Sequence, residues 1–171
     1  MTERLFFALW PGERERGALT RIQDELADHR GRRTHPEDLH ITLVFLGDLD
    51  PKRRACAEEA ANRVQAAPFS LHLNRLGYFP RARIRWCGAS ERPQPLLDLL
   101  HALNGGLLSC GFHPERRPFE PHATLARKAR PLPARELEHP VAWPVSEFAL
   151  VIARPGECPR YRVVRRWPLI P

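Results

Sequence analysis

The pattern His-x-Thr-Leu occurs twice in this 171-residue chain, as His40-Ile41-Thr42-Leu43 and as His122-Ala123-Thr124-Leu125. The whole chain holds only eight His and five Thr, so chance rarely yields the pattern even once. Its recurrence at matching places in the two halves points to internal duplication. That constrains the fold more than any other feature, because each half must be a unit that packs against its copy.

The segments around the motifs repeat the same order. Leu5–Trp10 is a short apolar run ended by Pro11-Gly12, which suits a buried strand. From Glu13 to Asp28 the apolar positions Ala18, Leu19, Ile22 and Leu26 recur at helical spacing, with His29–Arg33 as a polar exit. Leu39–Leu46 is rich in strand formers and closes at Gly47-Asp48. Pro51 suits the first position of a helix running to Ala66, stopped by Pro68. Phe69–Phe79 follows as a strand or bent hairpin. In the second half, Ile84–Ala89 reads as a strand, Pro95–Leu108 as a helix and Pro121–Arg127 as a strand. Pro133–Leu137 suits one helical turn, and Ser146–Ala153 and Tyr161–Leu169 suit strands. The prediction is an α+β fold. Two pseudo-symmetric lobes, roughly 1–80 and 81–171 with room to exchange terminal strands, each carry a mainly antiparallel sheet facing a central cleft, with helices outside.

Composition narrows the function classes. Apolar runs fall far short of the ~18–20 residues that cross a bilayer, so no membrane partner is expected. MTERLFFALW lacks a basic n-region and a small-residue cleavage site; it reads as a first strand rather than a signal peptide. Cytoplasmic residence is the expectation. The net charge is +7, and 25 of the 27 cations are Arg, with Lys52 and Lys128 the exceptions. Such a surplus arises from codon bias or from a phosphate-rich partner that Arg grips bidentately, and charge alone leaves both open. Cys56, Cys87, Cys110 and Cys158 form no C-x-x-C pair, so reduced, core-filling cysteines are expected. Gly105-Gly106 is not followed by Gly-Lys-Ser/Thr, so there is no ATP-binding loop.

The spacing within the motif carries the chemistry. Side chains at i and i+2 of a strand share a face. His40 and Thr42 therefore project together, as do His122 and Thr124, while Ile41, Leu43, Ala123 and Leu125 pack behind. Displacement at phosphorus wants a base on the attacking water and an acid on the departing oxygen, on opposite sides of the phosphorus. Histidine titrates where it can do either job. Hydroxyls can donate to the non-bridging oxygens. A lone strand histidine is ordinarily structural; the pairing is what argues otherwise. Thr42 and Thr124 are also ordinary strand formers.

With LHITLVFLG around the first motif and PHATLAR around the second, the chain resembles the two-histidine (2H) phosphoesterases. Within them it is most similar to the RNA 2′,3′-cyclic phosphodiesterases, historically called 2′-5′ RNA ligases. The resemblance runs from LFFALW at the start to YRVVRRWPL at the end. It implies a bilobal α+β fold with both motifs in the cleft, no metal and no cofactor. The implied reaction is hydrolysis of RNA 2′,3′-cyclic phosphate ends to 2′-phosphomonoesters. It also implies roles: His40 as proton donor to the 3′ oxygen, His122 as proton acceptor from water, and Thr42 and Thr124 on the phosphate. Arg127 matches the family arginine near the phosphate, although its odd spacing from Thr124 leaves its direction open. Phe45 matches an aromatic that stacks on the terminal base, with a core position the other reading. The expected partners are RNA ends or nucleotides bearing a 2′,3′-cyclic phosphate, with a monomer and no obligate protein partner.

Three other readings stay on the table: a reversible 2′-5′ RNA ligase, a small-molecule cyclic phosphodiesterase and a non-catalytic RNA-binding module. A metal hydrolase would need further ligands beside the motifs, and none has recognisable spacing. His35, His113 and His139, each beside a proline, read as loop positions; His29, His72 and His101 have no catalytic spacing. The Arg clusters Arg30–Arg33, Arg81–Arg85, Arg116-Arg117 and Arg160–Arg166 are candidates to flank an RNA path.

Overall fold

The computed structural model describes residues 1–26 and 31–171. The predicted end of the first helix at Asp28, together with His29 and Arg30, lies outside the described residues. The elements in chain order are β1 (Glu3–Leu9), α1 (Glu13–Glu25), β2 (Arg32–Arg33), β3 (Ile41–Leu49), α2 (Pro51–Asn62), β4 (Phe69–Phe79) and β5 (Ile84–Gly88), then α3 (Gln94–Leu107), β6 (His122–Arg127), β7 (Arg135–Val145), β8 (Glu147–Ala153) and β9 (Tyr161–Pro168). Single 3₁₀ turns cover Pro36–Asp38 and Leu108–Cys110. Local chemistry supports these bounds. Asp50 caps α2 by accepting from the Arg53 N–H at 2.8 Å, with Pro51 at the first helical position. In α3, Leu96, Leu99, Leu100, Leu103 and Leu107 form one buried stripe.

The class is α+β. The strands pair antiparallel throughout, in the order β7-β4-β5-β6-β3-β1-β8-β9, with β2 added on β6. At the centre, β3 and β6 touch through one pair, Ile41 opposite Ala123. From that pair the sheet reads alike in both directions. On one side β3 pairs with β1, and α1 connects them; on the other β6 pairs with β5, and α3 connects them. Beyond lie β8 and β9 on one flank, β4 and β7 on the other. The C-terminal strands thus complete the sheet begun by the N-terminal ones.

Alternation along the strands separates two faces. Leu5, Phe7 and Leu9 of β1, Ile41 and Leu43 of β3, and Ala123 and Leu125 of β6 enter the main core. There they meet the apolar stripes of the helices, with α2 packed on α3. Phe6 and Ala8 of β1 join Ala149 and Val151 of β8 in a smaller cluster on the opposite face, flanked by Trp10, Tyr161 and Val163. Burying each large apolar side chain stabilises by about 1.5–3 kcal/mol, so this two-sided burial explains why β1 reads as a continuous apolar run. Among the described residues, no helix is long and apolar enough to cross a membrane.

Several expectations fail. Gly47-Asp48 does not close its strand but lies inside β3, which runs to Leu49, and α2 ends at Asn62 rather than reaching Ala66. Pro133–Leu137 is not a helical turn: Arg135 and Glu136 already pair with Leu76 and Arg75 of β4, opening an eleven-residue strand. His139 therefore lies within β7, not in a loop. The strand tolerates Pro140 and Pro144 because β7 is the outermost strand, where missing N–H groups cost no ladder bonds on its free side. A further correction concerns the cysteines. Cys56 of α2 and Cys110 after α3 form a disulfide across 54 residues. Their spacing gives no hint of it, because only the packing of α2 on α3 brings them together. Cys87 is buried core filler whose thiol burial pushes up to about 12, and Cys158 is exposed.

Candidate active site

His40 immediately precedes β3 and His122 opens β6, so each histidine sits one residue from the central Ile41–Ala123 pair. In an antiparallel register the residue before one partner lies opposite the residue after the other. His40 is thus aligned with Thr124, and Thr42 with His122. All four side chains leave the sheet on the face away from the main core, where each is half-buried. The packing residues of both motifs, Ile41, Leu43, Ala123 and Leu125, are buried behind them.

Both rings are held in the same way. The His40 Nδ1–H donates to the Asp38 carbonyl at 2.6 Å, and the His122 Nδ1–H donates to the Glu120 carbonyl at 2.7 Å. A carbonyl can only accept, so each contact places the proton on Nδ1 and leaves Nε2 as the working nitrogen. The His40 Nε2 lies 3.0 Å from the Thr42 hydroxyl. Asp38 does more than lend its carbonyl. Its buried carboxylate accepts from the backbone N–H groups of Arg160 and Tyr161 at 2.9 and 3.0 Å, tying the His40 turn to the start of β9.

The two histidines differ in their surroundings. Trp10 stacks on His40 at 5.5 Å between centroids, Phe6 lies at 4.9 Å, and Tyr161 meets it edge-on at 5.1 Å. This enclosure, aided by the nearby positive charges of Arg127 and His122, lowers the His40 pKa to about 4 from its ordinary 6.5 despite the opposing pull of the Asp38 carbonyl. His122 has Phe79 edge-on at 5.1 Å and Trp86 at 6.3 Å.

A stability signature follows from the His40 shift. The unfolded chain binds the His40 proton near pH 6.5 and the folded chain only near pH 4. Folding is therefore favoured above pH 6.5, and this contribution, up to about 3 kcal/mol, is lost as pH falls from 6.5 towards 4. Urea denaturation of wild type and His40→Gln across pH 4–7 checks it. The wild-type curve should fall more steeply on the acid side, and parallel curves would refute the assignment.

The remaining candidates separate clearly. Arg127 is exposed at the end of β6, and its charge reaches His40. The register shifts there: Trp86 lies opposite Thr124 but Arg85 opposite Ala126, so β6 carries one extra residue and strict alternation ends before Arg127. That resolves its odd spacing. Phe45 on β3 is 60% exposed and so does not belong to the core. His35 caps the 3₁₀ turn by accepting from the Glu37 N–H at 3.1 Å. His72, His101, His113 and His139 are exposed. Several clustered arginines serve the fold. Arg162 and Arg166 pair with Glu157 and Glu147, Arg165 lies over Trp167, and buried Arg85 donates to the carbonyls of Arg130 and Leu26. Among the described residues no three His, Cys, Asp or Glu side chains group to hold a metal ion. The sequence reading missed Asp38 and the rings around the histidines. Phe6 and Trp10 sit at i and i+4 of the first run, but a run that is apolar on both faces hides which face each side chain takes.

Residues 10–157 match the family model described as the 2′-5′ RNA ligase superfamily. The chain belongs to that superfamily. It is 32% identical to the RNA 2′,3′-cyclic phosphodiesterase of Thermus thermophilus, an alignment covering 97% of this chain and 90% of that protein. It is 29% identical to the RNA 2′,3′-cyclic phosphodiesterase of Escherichia coli, covering 98% and 97%. The protein of the same name from Geobacillus stearothermophilus is 36% identical over 90% of this chain, which spans about half (53%) of that relative's length. In three dimensions the superfamily member superposes on E. coli LigT complexed with 3′-AMP with a TM-score of 0.90, at 27% identity and full coverage of both chains.

Proposed function

We propose that this superfamily member hydrolyses RNA 2′,3′-cyclic phosphate ends to 2′-phosphomonoesters by paired-histidine acid–base chemistry. The observation that carries the reading is the doubled site: two His–Thr pairs on one face about a single strand contact, each imidazole presenting Nε2 because a backbone carbonyl holds Nδ1. Water attacks phosphorus as His122 Nε2 takes its proton. The bond from phosphorus to the 3′ oxygen breaks, and His40 Nε2 supplies the proton to that oxygen. Thr42 and Thr124 donate to the non-bridging oxygens, and Arg127 offsets their charge. Phe45 stacks on the terminal base. The catalytic groups in this scheme are all protein side chains.

The low pKa of His40 means that the free protein holds no proton on its Nε2, so the donor role requires His40 to gain one as substrate binds. The free protein keeps His40 neutral near pH 7. An anionic cyclic phosphate beside the ring opposes both the desolvation and the Arg127 charge, so proton uptake accompanies binding. The reading extends to the whole chain as two pseudo-symmetric lobes, β3-β1-β8-β9 and β6-β5-β4-β7, acting as a monomer on RNA ends in the cytoplasm.

The test is ³¹P NMR of the product from an oligonucleotide ending in a 2′,3′-cyclic phosphate, in buffer containing EDTA. A 2′-phosphate product formed at an unchanged rate is expected. A 3′-phosphate product, or activity abolished by the chelator, would overturn the mechanism.

A further inference from the structure

A cavity of about 230 Å³ opens beside His122, and its wall includes Phe79, Trp86, Arg75, Arg92, Ser90 and Glu120. The acid–base scheme uses only His122 of this set. Trp86 is seated there in an unusual way. It lies opposite Gly77 of β4, and a Cβ built on Gly77 would fall 2.2, 2.6 and 2.7 Å from three consecutive ring carbons, Cζ2, Cε2 and Cη2. A point approaching Cζ2 edge-on, in the ring plane, would lie much farther from both flanking carbons than from Cζ2, so these short flanking distances put the Cβ above the ring face. Gly88, two residues along β5, also lies close to the ring: a Cβ there would fall 3.0 and 3.1 Å from Cζ3 and Cε3, although the Pro121 carbonyl oxygen is nearer still at 2.6 Å. The indole is therefore laid flat on the sheet over backbone that has no side chain to lift it. One face rests on glycine, and the ring forms part of the cavity wall. Phe79 supports it at 5.3 Å between centroids.

We propose that Trp86 is a second nucleobase platform, holding a nucleotide of the RNA other than the one that carries the cyclic phosphate. A flat, backed indole in a cavity wall is what base stacking needs, and every base offers a π-face. Arg75 and Arg92 at the rim supply charge for the connecting phosphate. Arg92 is anchored by donation to the Phe119 carbonyl at 3.0 Å, and the Asn74–Ser90 hydrogen bonds, 2.8 and 2.9 Å, brace the neighbouring edge. The platform is distinct from Phe45. Counting from the central Ile41–Ala123 pair, Phe45 lies four residues along β3, whereas Trp86 lies one strand further out and offset the other way. That separates them by roughly 15–20 Å, further than one base reaches. The inference rests on the reading that the ligand is an RNA end.

Binding of reaction products tests it without requiring turnover. Dissociation constants are measured by calorimetry for a 2′-phosphorylated mononucleotide and a trinucleotide with the same 3′-terminal nucleotide. Wild type should bind the trinucleotide more tightly. Trp86→Ala should shrink that preference about ten- to a hundredfold, and Trp86→Phe should restore most of it. Gly77→Ala, which lifts the ring without removing it, should act in the same direction as Trp86→Ala. Equal binding of the two ligands by wild type overturns the proposal. So does an equal loss for both in a folded Trp86→Ala, which would put the terminal base on Trp86. Failure of the functional reading would show separately, as absence of turnover in the ³¹P experiment.

Discussion

Replacing His40 or His122 by alanine is expected to lower kcat/KM on a 2′,3′-cyclic phosphate end by about 10²–10⁴-fold. The loss should be similar for the two, and the double variant should lose little more, because both protons move in one displacement. The fold should survive in each case, since neither ring is part of the main core. Removing His40 leaves the Asp38 carbonyl without its side-chain donor, so His40→Gln is the better-behaved partner variant. Steady-state rates beside circular dichroism check this. Retained activity in either folded variant would remove that histidine from the chemistry.

The second large effect concerns stability. The Cys56–Cys110 bond closes a long loop between α2 and the end of α3. Opening it, by reduction or in Cys56→Ala/Cys110→Ala, should cost up to about 4 kcal/mol, chiefly by freeing the unfolded chain. A lower urea midpoint with an unchanged slope is the expected readout. Because α2 and α3 pack into the core behind the motifs, kcat/KM at 25 °C should barely move. An identical midpoint with and without reductant would mean that the bond contributes nothing. The bond also bears on compartment: in a reducing cytoplasm the chain would work with this link open.

Much of this protein could be read from the chain because its key pattern is local. His-x-Thr on a strand sets two side chains on one face by backbone geometry alone, so the shared face of His40 with Thr42 and of His122 with Thr124 was legible before any coordinates. Duplication then predicted that the two copies meet. β7 escaped notice because its prolines argue against a strand, and only its place at the sheet edge makes them tolerable. The indole of Trp86 looked like one more apolar residue, since what turns it into a platform is Gly77 on the neighbouring strand.

By itself, then, the sequence determined the class of fold and the duplicated motif, including which of its side chains share a face. Tertiary structure decided what those groups experience. The enclosure of His40 by Trp10, Phe6 and Tyr161, the tether from Asp38 to β9, and the Cys56–Cys110 link all join residues far apart in the chain. Periodicity reports which face a side chain takes. It carries no information on which distant element comes to cover that face, and the covering sets the pKa of His40 and the seating of the rings around it.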